Sequence, residues 1–171
     1  MKKIATLLLI FTIYSWALTL EETPKEIVLK GENGGLVDGN PWYSKTLKNK
    51  VNLLLYVDPD KQSDNKEFLK TLHSKNYDKN RFSFVAIINL KATWLPNIAI
   101  EKKLKSEQSK SKNTIYVKDK TKYLVKEWKL SDDDINIVIF NKQGKVVYIH
   151  SGIVDKKESK IIFDIVEKLL K

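Results

Sequence analysis

The sequence predicts an α/β fold, a three-layer α/β/α sandwich with a central mixed sheet and a β extension on its N-terminal side. Three observations point there. Two nearly continuous apolar runs, Val51–Val57 and Phe82–Leu90, have the composition of strands buried on both faces. Each precedes a stretch whose apolar residues recur at helical spacing, the alternation that builds parallel crossovers. Later, two short apolar runs flank Asn141–Gly144, where the glycine can take a positive φ in a tight antiparallel turn.

Taken in order, the chain begins with an export leader. Lys2 and Lys3 form a positive start, Ile4–Tyr14 is apolar and uncharged, and Ser15 and Ala17 put small residues at the two positions a signal peptidase reads. Cleavage after Ala17 is expected, leaving residues 18–171 as a single domain. The run falls short of the roughly 20 apolar residues that span a bilayer, although adding Leu18–Leu20 would make it an uncleaved anchor. A periplasmic location follows, with membrane contact at most peripheral. Glu26–Lys30 is a strand candidate, and the turn-rich stretch Gly31–Pro41 leads to Trp42 and Tyr43. Together they suggest a hairpin or extension packing its aromatics on the main body.

The strand at Val51–Val57 leads to a helix whose start is marked by Asp64 with Glu67 three residues on, a capping-box spacing. Phe68, Leu69 and Leu72 form its apolar stripe. After the strand at Phe82–Leu90, Pro96 can open a helix that runs to about Gln108 on Ile100 and Leu104. Thr114–Val117 is a short strand and Tyr123–Trp128 a short helix. Ile135–Phe140 and Lys145–His150 form the closing hairpin. Asp155 and Glu158 start the last helix, with Ile161, Ile162, Ile165, Val166, Leu169 and Leu170 expected on its buried face. The order is β-α-β-α-β-α-β-β-α.

Composition excludes several activities. None of the 171 residues is cysteine, so thiol redox chemistry, peroxiredoxin chemistry and thiolate metal sites are ruled out. The formal charge is +10, of which two lysines belong to the leader. Of the 31 basic residues only Arg81 is arginine, and acids are interspersed among the lysines. Phosphate recognition favours arginine's bidentate fork, so nucleic acid is not an expected partner.

The block Ile135–Gly152, a strand, a Lys-x-Gly-type turn and a second strand ending in glycine, resembles the closing hairpin of thioredoxin-like extracytoplasmic proteins. Asn49-Lys50-Val51 ahead of an apolar strand resembles the Gly-Lys-Val start of the same group. Over residues 18–171 the chain resembles the YtfJ family of small periplasmic proteins. It shares Lys50-Val51 through Asn65-Lys66-Glu67, and Trp128-Lys129-Leu130 just before the hairpin. The resemblance implies a thioredoxin-like fold and carries no established activity. Thioredoxins place Cys-x-x-Cys between the first core strand and its helix, where the helix terminus lowers a thiol pKa; here that segment is Asp58–Asp64. Their cis-proline position corresponds to Asp132–Ile135, which has no proline. Ala92–Pro96 (Ala-Thr-Trp-Leu-Pro) imitates a redox motif, but it follows the second strand and is read as coincidence.

In that fold Asp58, Asp60 and Asp64 approach Asp132, Asp133 and Asp134. Oxygen ligands at such density suit Ca²⁺ or Mg²⁺, or a basic partner segment. An EF-hand is excluded, because Leu69 occupies the twelfth position from Asp58. Equally, Asp64 can cap a helix, Asp58 and Pro59 can make a turn, and the other acids can be solvated. His73 and His150 are read as structural or exposed, and Trp42, Trp94 and Trp128 as core or lid aromatics. No catalytic, cofactor-binding or metal-binding residue is assigned.

Three readings follow. The first is a non-catalytic binding or scaffold module holding an unknown periplasmic protein or polymer. The second is a divalent-cation-dependent protein, a hydrolase for example, organised by the aspartates. The third is a lysine-driven binder of anionic membrane or cell-wall polymer.

Overall fold

The computed structural model describes residues 17–111 and 113–171. The leader expected over residues 1–17 lies, Ala17 apart, outside them. The N-terminal extension is present: β1 (Val28–Leu29) pairs antiparallel with a strand at Trp42–Tyr43. The turn-rich stretch between them contains β2 (Gly34–Leu36), which glycine content hid from the sequence reading; Trp42–Tyr43 is therefore β3. β2 leaves the extension and adds antiparallel to the main sheet beside Val117–Asp119. Only glycine permits so close an approach. Gly34 has φ +124°, and a Cβ there would fall 1.9 Å from the Lys118 carbonyl oxygen.

The main body runs β4 (Val51–Val57), a 3-10 turn at Pro59–Asn65, α1 (Lys66–Ser74), β5 (Phe82–Asn89), α2 (Asn97–Lys110) and β6 (Thr114–Asp119). It continues with α3 (Tyr123–Trp128), β7 (Ile135–Phe140), β8 (Val146–Ser151) and α4 (Lys156–Leu169). The sheet order is β2-β6-β5-β4-β7-β8. β4, β5 and β6 are mutually parallel, while β7 runs antiparallel to β4 and β8 antiparallel to β7. The mixed sheet and the expected element order are both present.

Strand alternation sorts the core into two layers. Leu53, Leu55, Phe84, Ala86 and Ile137 face α1, α2 and α4. Leu54, Tyr56, Val85, Ile87 and Val138 face α3 and the N-terminal extension, where Trp42 and Trp128 are buried. The closing turn is built as expected: Gly144 has φ +78°, and the Asn141 side chain accepts from the Gln143 and Lys145 amides.

Several local expectations are corrected. Asp64 does not cap α1. The 3-10 turn intervenes, and Asn65 occupies the cap position without a side-chain cap bond. Asp155 does cap α4, accepting from Glu158 N at 2.7 Å. The buried stripe of α4 is rotated to Ile162, Phe163 and Val166, leaving Ile161 37% exposed. Pro96 stands just before α2, not inside it. Trp94, grouped with the core or lid aromatics, is 84% exposed.

Candidate functional site

Because β4, β5 and β6 are parallel, the loops after Val57, Asn89 and Asp119 open at one end of the sheet. β7 begins at that end too, since Val57 pairs with Ile135, and β8 finishes there, since Ser151 pairs with Asn136. Five connections therefore converge on one end, and the acidic segments are among them.

Asp58 is 3% exposed and caps the 3-10 turn, accepting from Asp60 N at 2.9 Å. Its own amide donates to the Asp134 carbonyl at 3.4 Å, which ties the two acidic segments together. Burial pushes the Asp58 carboxyl above its ordinary value; the bond from Asp60 N pulls the other way, and the Asp60 and Asp133 carboxylates add to the rise. Asp60 accepts from Thr93 Oγ1 at 2.7 Å. Asp132 is taken up by the Lys122 ammonium and by Asn89 Nδ2 at 3.3 Å. The Lys122 bond to Asp132 raises the ammonium pKa, with the charges on Asp132, Asp133 and Asp58 adding to it.

Asp134 accepts from Ser131 Oγ at 3.1 Å, and Asp133 is exposed with no hydrogen-bond partner among the described residues. Asp64 stands near the far end of the 3-10 turn with its carboxylate on Ser63 Oγ. The structure thus gathers Asp58, Asp60 and Asp133, links Asp132 and Asp134 to them through partners, and leaves Asp64 aside. Among the described residues, no three His, Cys, Asp or Glu side chains form a group that could hold a metal ion.

Neither histidine joins the acids. His73 stands edge-on to Phe84 near the end of α1. His150 meets the Ile153 carbonyl at 3.2 Å and Glu158 at 3.7 Å. No hydroxyl is hydrogen-bonded to a histidine among the described residues, so no activated oxygen nucleophile of that kind is assembled.

Beneath the acids lies a second carboxylate that sequence reading missed. Asp119 is fully buried at the end of β6 and accepts from Tyr56 Oη at 3.1 Å and from the amides of Thr121, Tyr123 and Leu124. It anchors the start of α3. Burial first, and then the Asp119 charge, push the Tyr56 phenol far above its ordinary value, so it remains a donor. Asn89, Thr93 and Lys122 were also missed. The parallel order of the strands was the available signal, since it sends the loop after β5 to the same end as the loop after β4. The Ala92–Pro96 segment, set aside as coincidence, supplies Thr93 to Asp60.

That segment also carries apolar surface. Trp94 is 84% exposed, Leu95 is exposed, and Ile98 is 83% exposed at the start of α2. On the other side of the 3-10 turn, Asn65 accepts from Val154 N at 2.7 Å and donates to the Gly152 carbonyl at 3.4 Å. Those two bonds hold Ile153, 68% exposed, beside the turn. The 3-10 turn is thus fastened at Asp60 to the Trp94 segment and at Asn65 to the Ile153 segment. Carboxylates and large apolar side chains share the end of the sheet.

A family profile described as "Bacterial protein of unknown function (YtfJ_HI0045)" matches residues 19–169. No curated protein sequence matches. Solved structures share the fold. One is a candidate protein disulfide isomerase from Bacteroides thetaiotaomicron, 19% identical, with TM-score 0.61 over 90% of this chain and 91% of that one. Another is a candidate thiol:disulfide interchange protein DsbE from Chlorobium tepidum, 14% identical, with TM-score 0.63 over 91% of this chain and 100% of that one. A third is a thiol-disulfide isomerase from Corynebacterium glutamicum, 12% identical, with TM-score 0.60 over 85% of this chain and 96% of that one. At these identities the likeness establishes a thioredoxin-like fold and nothing further.

Proposed function

The chain belongs to the bacterial YtfJ_HI0045 family of unknown function, and from that premise we propose that it is a non-catalytic binding module of the periplasm. It holds a protein partner at the end of the sheet where thioredoxin enzymes keep their cysteines. The observation that carries this reading is the exposed Trp94 side chain, held beside the acidic 3-10 turn by the Thr93–Asp60 bond. An indole this exposed, with Leu95 and Ile98 next to it, is costly to leave in water and marks a contact surface. The neighbouring carboxylates select a partner segment that is basic as well as apolar, and a lysine or arginine can also stack on the indole.

Catalysis has less support. The carboxylates are engaged by Thr93, Lys122, Asn89, Ser131 and main-chain amides, apart from exposed Asp133. Peptides of alternating lysine and leucine, titrated while tryptophan fluorescence is followed, test the reading. A saturable change is expected that disappears in Trp94→Phe, weakens at least tenfold in Asp133→Lys, and weakens again with added salt. An unsaturable response, or one indifferent to Asp133→Lys, contradicts it.

A further inference from the structure

Two concavities lie along α1 and α2. One cleft of about 430 Å³ opens at the opposite end of the sheet, over Leu72, Tyr77, Phe82 and Phe84. A second, of about 510 Å³, runs along the same two helices over Pro59 and Leu69, and His73 lines both. Each lies within the roughly 300–1,000 Å³ of small-molecule sites. The two clefts adjoin at the His73 side chain as one groove-like surface, and Leu72, Phe82 and Phe84 give the first an apolar floor that Leu69 and Pro59 extend in the second.

The lining is rich in lysine. Apart from His73 and Tyr77, every ionisable side chain lining the two clefts is a lysine: Lys66, Lys75, Lys79, Lys103 and Lys110. Lys75 is held by Glu167 at 2.7 Å and Lys110 by Glu107 at 3.3 Å. Lys66, Lys79 and Lys103 form no ion pair among the described residues. Cations near a helix C-terminus complement its dipole, which accounts for Lys110. That explanation does not reach Lys66 at the start of α1 or Lys103 in the middle of α2.

We propose that this groove binds a single-chain amphiphile with an anionic head, its alkyl chain on the apolar floor and its head among the unpaired lysines. An anionic polymer alone would leave the Phe82–Phe84 floor unused, and a neutral chain would leave the lysines unanswered. The lining reaches Pro59, Gln62 and Ser63 of the 3-10 turn but not Asp60, Thr93, Trp94 or Asp133, so variants at Trp94 separate this proposal from the binding function proposed above.

Calorimetric titration of the protein with dodecyl phosphate, below its micelle-forming concentration, tests this. One saturable site is expected, with dodecyl maltoside (a similar chain, no charge) and inorganic phosphate (no chain) each binding at least tenfold more weakly. Combining Lys79→Glu with Lys103→Glu, both exposed positions, should lower affinity for dodecyl phosphate at least tenfold without moving the thermal midpoint. Filling the groove with His73→Trp should do the same, and Trp94→Ala should have no effect. Equal affinity for dodecyl maltoside or inorganic phosphate, undiminished binding in the groove variants, loss in Trp94→Ala, or no saturable heat would each overturn the proposal.

Discussion

Asn65 is the residue on which the geometry of the acidic end most visibly turns. Its side chain is buried and joins the 3-10 turn to the segment after β8, accepting from Val154 N and donating to the Gly152 carbonyl. Asn65→Ala strands the Val154 amide in a buried site, a cost of about 1–3 kcal/mol. Asp64→Ala, at the position sequence spacing nominates as the cap, removes a bond to an exposed serine and should stay within about 0.5 kcal/mol of wild type. Urea unfolding of the two variants checks the contrast. Asp58 offers a test in pH. Its pKa is raised in the folded state, mainly by burial, so folding favours its protonated form. That stabilisation is present at low pH and lost as pH rises through the folded-state pKa. Asp58→Asn keeps an acceptor for Asp60 N and removes the buried charge. The variant should therefore gain stability over wild type near pH 7, and the gain should shrink as pH falls into the carboxylate range, as denaturant melts across that range would report.

At the scale of elements, β2 is the piece that depends on a single residue type. A Cβ at Gly34 meets the Lys118 carbonyl of β6 at 1.9 Å, and main chain cannot yield as a flexible side chain does. Gly34→Ala should cost about 2 kcal/mol or more and expose the β6 edge to hydrogen exchange, while Gly39→Ala, with open space around it, should cost less. β2 was illegible in the sequence for this same reason, because glycine-rich stretches read as turns until a neighbouring backbone is in place. β4, β5, α3 and β7 were legible, since their apolar runs have one buried arrangement and clear punctuation. The face of α4 was legible only to within one position. Ile161 and Phe163 are both apolar, and only packing against the sheet decides between them. The approach of Asp58 and Asp60 to Asp133 could be read from parallel strand order. The partners Thr93, Asn89 and Lys122 could not, because each bond crosses between loops whose conformations the sequence does not specify.

On the scale of the whole molecule, two surfaces differ in character. At the C-terminal ends of its parallel strands, a carboxylate is bound to the segment that carries the exposed indole. Along α1 and α2, lysines border an apolar groove. With no cysteine in the chain, the end that carries redox chemistry in thioredoxins is free to serve as a contact surface. Binding there is the central claim, and a photo-cross-linking residue placed at position 94 in the cells that make the protein tests it most directly, with position 161 on α4 as the comparison. A discrete cross-linked product from position 94, absent from position 161 and lost when Asp60 and Asp133 are both changed to lysine, is the expected result. Equal, diffuse cross-linking from both positions, or a product that survives the two charge reversals, would contradict it.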